Sequence, residues 1–171
     1  MDVGKDLVRR HFDEMWNGRD LDVASELMAE EFIEHAAAPF ASESPGPVNG
    51  PEAMRGTCAW LLDQFPDLTM TVVTLIAEGD LVAALVCARG TNTGKLNGFL
   101  PPSGRGFEYL QTHWSRVADG RLCEHWATRD DLSVMLQLGV VTKPRLAALS
   151  RQLRAAARHR VRRSLGSDPP R

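Results

Sequence analysis

An α+β fold is predicted by the order in which two kinds of hydrophobic periodicity follow each other along the chain. Up to Phe65 the apolar residues recur at helical spacing, whereas from Leu68 to Asp130 they alternate as in strands, between short turn sequences. Helices followed by an antiparallel run of strands favour α+β rather than alternating α/β architecture.

The chain has the size and composition of one domain with a hydrophobic core. It holds 171 residues, of which 43% are hydrophobic and 25% charged. Its charge is unevenly distributed, because residues 143–171 carry nine Lys and Arg residues against the single Asp168, which leaves residues 1–142 acidic. We expect a domain over residues 1–142 and a basic amphipathic helix with a disordered end over residues 143–171.

Three helices, one short strand and one loop are predicted in the N-terminal part. Apolar residues such as Leu7, Phe12 and Trp16 form one helical stripe that ends at Asn17-Gly18. Asp20 or Asp22 can cap the next helix. The predicted elements are a helix over 4–17, a short helix after residue 20, a strand over 30–35, a loop over 36–50 and a helix over 51–65.

Four strands are predicted after Pro66. The turn sequences Gly79-Asp80 and Asp119-Gly120 separate two pairs of β-rich runs, and a loop rich in Gly and Pro joins the pairs. The predicted strands are Leu68–Glu78, Leu81–Thr93, Gly106–Val117 and Leu122–Asp130.

Several classes of function and location are disfavoured by the sequence. The N-terminal residues are charged and no window is apolar enough to span a membrane, so neither secretion nor a membrane partner is expected. Three cysteines without a regular spacing suit a reducing cytoplasm. The five histidines lack metal-ligand spacing and nucleotide-binding motifs are missing, so no metal and no cofactor are expected.

The basic tail admits two interpretations. Its arginines could contact nucleic acid, a membrane surface or an acidic protein. The favoured interpretation is a solvated helix that packs its Leu face on the domain or on a second subunit, with no nucleic-acid partner.

Strand alternation groups several polar and aromatic side chains on one predicted face. The third strand places Tyr109, Gln111 and His113 together, and the fourth does the same for Trp126 and Asp130. Such a mixture suits an apolar pocket with a few oriented polar groups.

Asp130 is the first candidate for proton transfer, since an apolar pocket would raise the pKa of its carboxyl group. The alternative is that Asp130 or Asp131 caps the helix that begins near Leu132. Both hold if Asp131 is the cap and Asp130 points inward.

Other candidates surround this position. His113 could share a proton with Asp130, and Gln111 could hydrogen-bond an enolate oxygen, although an ordinary sheet histidine is an equally simple explanation. His35 could lie at a pocket mouth or be a solvated strand end. Asn92 could contact a ligand or be a turn residue.

Six segments resemble the SnoaL-like polyketide cyclases, a family related to ketosteroid isomerase, scytalone dehydratase and nuclear transport factor 2. The similarity covers residues 4 to 141. The matching segments are FIEH (32–35), FPDLTMTV (65–72), AEGDLVAA (77–84), GTNTG (90–94), LPPSGRGFEY (100–109) and VADGRLCEHWATRDDLSVMLQLG (117–139).

The resemblance implies a fold, a reaction and roles for named residues. The expected fold is a cone, in which a curved antiparallel sheet wraps around helices and encloses a deep pocket, assembled as a homodimer or homotetramer. The expected reaction is an intramolecular aldol ring closure on a hydrophobic polyketide, with Asp130 as general acid/base. His113 and Gln111 would hold oxygen atoms, and aromatic residues such as Phe65, Tyr109 and Trp126 would shape the wall.

Two functions therefore remain open at the level of sequence. One is a cofactor-free cyclase, or a related isomerase, hydrolase or dehydratase, which requires a closed pocket containing a proton-transfer group. The other is a non-catalytic binding domain on the same fold, with the basic tail recruiting a partner.

Overall fold

The computed structural model describes residues 2–36, 39 and 48–142. In this part of the chain four α-helices and five strands follow the predicted order. The helices are α1 (Val3–Arg10), α2 (Ala24–Leu27), α3 (Pro51–Gln64) and α4 (Asp131–Gln137). The strands are β1 (Met28–Glu34), β2 (Thr69–Glu78), β3 (Leu81–Thr91), β4 (Gly106–Ala118) and β5 (Arg121–Thr128). The α+β class is confirmed.

The five strands form one sheet in the order β1-β5-β4-β3-β2. Strands β2 to β5 pair antiparallel, as the turn sequences predicted. Strand β1 pairs parallel with β5, so the expectation of a wholly antiparallel sheet is wrong at this edge. The reason is topological, because α3 and three strands separate β1 from β5 along the chain and no hairpin links them.

The predicted first helix changes its winding halfway. Asp2 caps α1 by accepting from the backbone N–H of Gly4 and Lys5, and residues His11–Asn17 continue it as a π-helix. The wider π turn keeps Phe12, Met15 and Trp16 on the buried side. Asn17 then bonds both the N–H and the C=O of Met70, which ties the helix end to β2.

The hydrophobic core lies between the concave face of the sheet and the helices. Phe12, Phe32 and Phe65 have almost no exposed surface, and Met15, Leu27 and Met54 pack with them. Helix α3 starts at Pro51, where a missing backbone N–H does no harm, directly after Gly50 at φ 74°. The core therefore lies under the sheet, and some of its residues also line the cavity described below.

The convex face of the sheet carries exposed apolar side chains, among them Ile76, Leu110 and Trp114. Among the described residues, no helix is long and apolar enough to cross a membrane. The predicted homodimer or homotetramer stays a prediction. The predicted tail over 143–171 lies outside the described residues, and the domain division at residue 142 likewise stays a prediction.

Two glycines of the fold are expected to respond oppositely to a methyl group. A Cβ at Gly94 would overlap the backbone oxygen of Asp63, so Gly94→Ala must displace backbone and should destabilise the fold by about 3 kcal/mol or more. A Cβ at Gly56 in α3 meets no atom within 4 Å, so Gly56→Ala should stabilise by about 0.5–1 kcal/mol. Denaturant unfolding of both variants checks this, and a stable Gly94→Ala protein would contradict the close approach.

Candidate active site

A cavity with a mostly apolar lining lies between α3 and the concave face of the sheet. A mostly apolar concave site with a few polar groups is typical of small-molecule binding. Its apolar wall includes Trp16, Met54, Leu61, Phe65, Leu68, Met70, Ala88 and Phe107. Its polar lining consists of Glu34, Thr57, Tyr109, Gln111, His113, His125 and Arg129. The lining therefore combines a mostly apolar wall with a small set of polar groups.

Strand β4 supplies the predicted inward row. Tyr109, Gln111 and His113 all line the cavity, in agreement with the strand period. The Tyr109 hydroxyl donates to Oε1 of Gln111 at 2.8 Å, and Nε2 of Gln111 donates to Sδ of Met70 at 3.1 Å. Burial, and next the charge of Asp131, raise the pKa of Tyr109, so its hydroxyl remains a donor. Gln111 is thus held in one orientation, with its amide nitrogen directed to the Met70 sulfur.

The predicted face of β5 is wrong from Cys123 onward. Val117 pairs with Leu122 and Arg116 pairs with Glu124, so β5 contains one more residue than β4 between these pairs. This β-bulge reverses the side-chain alternation. Leu122 still points inward, but beyond the bulge His125 faces the cavity and Trp126 faces outward.

Glu34 and His125 form a buried pair that sequence reasoning missed. Nδ1 of His125 lies 2.9 and 2.8 Å from the two carboxylate oxygens of Glu34. Their side chains are only 4% and 8% exposed. Residues 34–35 and 124–125 are both Glu-His, and the parallel pairing of β1 with β5 sets them side by side.

The second Glu-His pair lies on the opposite side of the sheet. Nε2 of His35 contacts Oε2 of Glu124 at 2.7 Å, and the His35 ring stacks on Trp126 with centroids 4.5 Å apart. His35 and Trp126, both predicted to bind substrate, therefore lie outside the cavity lining. The two dipeptides are crossed, with Glu34–His125 inside and His35–Glu124 outside.

His113 joins the buried pair at the cavity surface. Its Nδ1 lies 2.9 Å from Nε2 of His125, and its own Nε2 is buried without a protein hydrogen-bond partner in the described residues. Burial, the largest cause, lowers the pKa of His113 well below 6.5. The ring is accordingly neutral at physiological pH.

The predicted inward orientation of Asp130 is wrong. Asp130 is exposed and caps α4, because its Oδ1 accepts from the backbone N–H of Ser133 at 2.9 Å. Asp131, expected to be the cap, instead lies 3.5 Å from Nε of Arg129, which lines the cavity. The bulge in β5 explains why Asp130, and not Asp131, is the cap. Because of the bulge, Arg129 and not Asp130 follows His125 on the inward face.

Asn92 holds a loop together, which agrees with its interpretation as a turn residue rather than as a ligand contact. It is fully buried, its amide donates to the backbone oxygens of Gln64 and Gly94, and its Oδ1 accepts from the N–H of Ser103. It does not line the cavity. Phe65, in contrast, lies in the cavity wall as predicted and makes an edge-to-face contact with Phe107 at 5.0 Å.

Comparison with known proteins identifies the family. The profile described as SnoaL-like polyketide cyclase matches residues 6–138, most of the chain. The chain belongs to the SnoaL-like polyketide cyclase family. The family expectation drawn from the six sequence segments is thereby confirmed.

Curated relatives of the chain are ring-closing enzymes of Streptomyces. Aklanonic acid methyl ester cyclase DauD of Streptomyces sp. (strain C5) is 32% identical over 135 residues, covering 78% of this chain and 80% of the relative. Nogalonic acid methyl ester cyclase of Streptomyces nogalater is 30% identical over 91 residues, covering 53% and 67%.

Solved structures of the family share this fold. Wild-type IdmH, a putative polyketide cyclase from Streptomyces antibioticus, superimposes with a TM-score of 0.67 at 36% identity, covering 80% of this chain and 98% of that one. A putative SnoaL-like polyketide cyclase from Jannaschia sp. CCS1 gives a TM-score of 0.69 at 29% identity, covering 82% and 94%.

A third histidine of this SnoaL-like chain lies behind the cavity. His11 is buried, its Nε2 accepts from Nε1 of Trp16 at 3.0 Å, and its ring centroid is 6.3 Å from that of His125. Burial, the largest cause, lowers its pKa to about 3. Within the described ranges, no group of three His, Cys, Asp or Glu side chains is arranged to hold a metal ion.

Two buried neutral histidines make the stability of the fold depend on pH. Because the folded-state pKa values of His11 and His113 lie below 6.5, the unfolded chain binds more protons as pH falls below 6.5. Unfolding free energy should decrease by about 1.4 kcal/mol per histidine, roughly 2–3 kcal/mol in total, between pH 7.5 and 5.5.

Guanidinium unfolding across this pH range measures the effect. Replacing His11 by Gln should remove about half of the pH dependence whatever it does to stability at pH 7.5. An unchanged unfolding free energy between pH 7.5 and 5.5 in the natural chain would contradict the neutral burial of both rings.

Proposed function

We propose that this protein is a polyketide cyclase that closes a carbocycle by an intramolecular aldol reaction in the cavity under the sheet. Family membership and the ring-closing relatives support the reaction class. The observation that carries the proposal for this chain is the bare Nε2 of His113, a neutral base buried in an apolar cavity beside Gln111.

His113 is the proposed acid/base. Its Nε2 takes a proton from the carbon next to a substrate carbonyl, and the resulting enolate carbon attacks a second carbonyl carbon of the same molecule. The alkoxide formed then receives the proton back from His113. One C–H bond breaks, one C–C and one O–H bond form, and the product is an isomer of the substrate. These steps consist of proton transfer and carbon–carbon bond formation, so the proposal invokes no cofactor.

Gln111 and Tyr109 are the proposed partners of the developing oxygen charge. The Tyr109 hydroxyl fixes the orientation of the Gln111 amide through its hydrogen bond to Oε1. The amide currently donates to a methionine sulfur, which is a weak acceptor. An enolate oxygen is a far better acceptor, so the amide gains more from the reacting substrate than it loses from Met70.

The cavity would supply the remaining rate enhancement through conformation. A polyketide chain that bears two reactive carbonyls can fold in many ways in water. A mostly apolar wall would select a compact conformer with the two carbon atoms close together. It also removes water, which would otherwise protonate the enolate before the ring closes.

Replacing His113 by Gln should lower the rate of ring closure by about 10²-fold or more, since the proton acceptor is lost. Aklanonic acid methyl ester and nogalonic acid methyl ester are the test substrates, and chromatography with mass detection should show a product of unchanged mass. Circular dichroism and a melting curve establish that the variant folds. No ring closure of either ester by the natural chain would overturn the proposal.

A variant of Asp130 separates the two possible acid/base residues. Asp130→Ser removes the carboxylate but keeps a side chain that caps helices well, so α4 should stay intact. We expect ring closure within about 2-fold of the natural chain. Full activity of His113→Gln together with loss in Asp130→Ser would instead assign the proton transfer to Asp130.

A further inference from the structure

The base proposed above ends a chain of three buried side chains. Glu34, His125 and His113 are each less than 10% exposed, and the successive contacts measure 2.8 and 2.9 Å. Burying a carboxylate and two imidazole rings costs free energy unless their polar atoms form hydrogen bonds. This series of contacts runs from Glu34 on β1 through His125 on β5 to His113 on β4, beside the cavity.

The acceptor at one end fixes the direction of the hydrogen bonds. Oε1 of Glu34 accepts from the backbone N–H of Ala36 at 2.8 Å, and both carboxylate oxygens lie within 2.9 Å of Nδ1 of His125. This geometry suits an ionised carboxylate that receives hydrogen from the ring.

The direction then passes through both rings. If His125 is neutral with hydrogen on Nδ1, its Nε2 carries a lone pair and accepts from Nδ1–H of His113. A neutral His113 with hydrogen on Nδ1 in turn has its lone pair on Nε2, a buried atom of a ring that lines the cavity. The Glu34 carboxylate thus determines, through His125, which nitrogen of the His113 ring is basic.

We propose that Glu34 and His125 are positioning residues that hold His113 in the tautomer with an unprotonated Nε2 in the cavity. The proposal rests on the proposed role of His113 as acid/base and adds the reason that this histidine acts as a base. Neither Glu34 nor His125 contacts the reacting carbon in this scheme.

The same chain stabilises the charged intermediate. When Nε2 of His113 takes the substrate proton, the ring becomes an imidazolium inside an apolar cavity. Its Nδ1–H can move to Nε2 of His125, whose Nδ1–H still donates to Glu34, and this places the positive charge of His125 beside the Glu34 carboxylate. Returning the substrate proton restores the starting arrangement, so no net proton is gained or lost.

The second Glu-His pair provides a matched control. Glu124 and His35 have the same residue types and a contact of 2.7 Å, and both belong to the same two neighbouring segments of chain. Their side chains are 27% and 35% exposed and point away from the cavity. Replacing Glu124 therefore alters a similar ion pair that does not include His113.

Nitrogen-15 NMR of histidine-labelled protein reads the tautomers without any substrate. In the natural chain, His125 and His113 should both carry hydrogen on Nδ1 at pH 7.5. In Glu34→Gln the amide oxygen is retained by Ala36 N–H, so the amide N–H₂ faces His125 and should reverse both rings to the Nε2–H form. Glu124→Gln should leave both tautomers unchanged. A His113 ring with hydrogen on Nε2 in the natural chain would overturn the proposal.

Kinetics distinguish a positioning role from a merely structural one. Glu34→Gln should lower kcat for aklanonic acid methyl ester by about 10²-fold with KM changed by less than about 3-fold, because a wrong tautomer removes the base but not the cavity. Loss of the carboxylate also destabilises the imidazolium, so the acid limb of the pH–rate profile should move to lower pH.

The remaining variants complete the test. Glu34→Asp keeps the charge and should recover part of the rate, whereas Glu124→Gln should match the natural chain. A Glu34→Gln protein with unchanged kcat and reversed tautomers would refute His113 as the base. Unchanged tautomers in that variant would refute the positioning role while leaving the proposed reaction intact.

Discussion

A single extra residue at Cys123 decides which side chains of β5 can reach the cavity. Without this bulge, strand alternation would continue from Leu122 and would place Trp126 and Asp130 under the sheet. With it, His125 and Arg129 face inward, Trp126 moves to the convex surface and Asp130 is left to cap α4. The hydrogen-bond chain from Glu34 to His113 exists because the bulge lies where it does.

The parallel contact between β1 and β5 is the second requirement. It sets residues 34–35 beside residues 124–125, and alternation then divides two identical Glu-His dipeptides between opposite faces of the sheet. The outer pair is half-exposed and joins Arg116 and Asp80 in a surface network of the kind that contributes little to stability. The inner pair is removed from water, so the same two residue types acquire a chemical role there.

The family resemblance was reliable for the fold, and the roles that it implied for individual residues stay predictions. It correctly indicated the helices, the sheet, the cavity and the row of Tyr109, Gln111 and His113, all of which follow from regular periodicity on unbroken elements. The role carried to Asp130 depended on the orientation of one side chain beyond an irregular strand. Spacing within a motif does not convey that orientation, because one inserted residue reverses every later side chain.

The sequence by itself determined the α+β class, the order of the elements and the inward face of β4. Hydrophobic periodicity and turn residues carry this information locally, over windows of about ten residues. Only the tertiary structure decided the parallel β1–β5 pairing, the bulge at Cys123 and hence the meeting of Glu34, His125 and His113. Glu34 and His113 are 79 positions apart in the sequence. Contacts at such separation depend on strand register rather than on any local pattern.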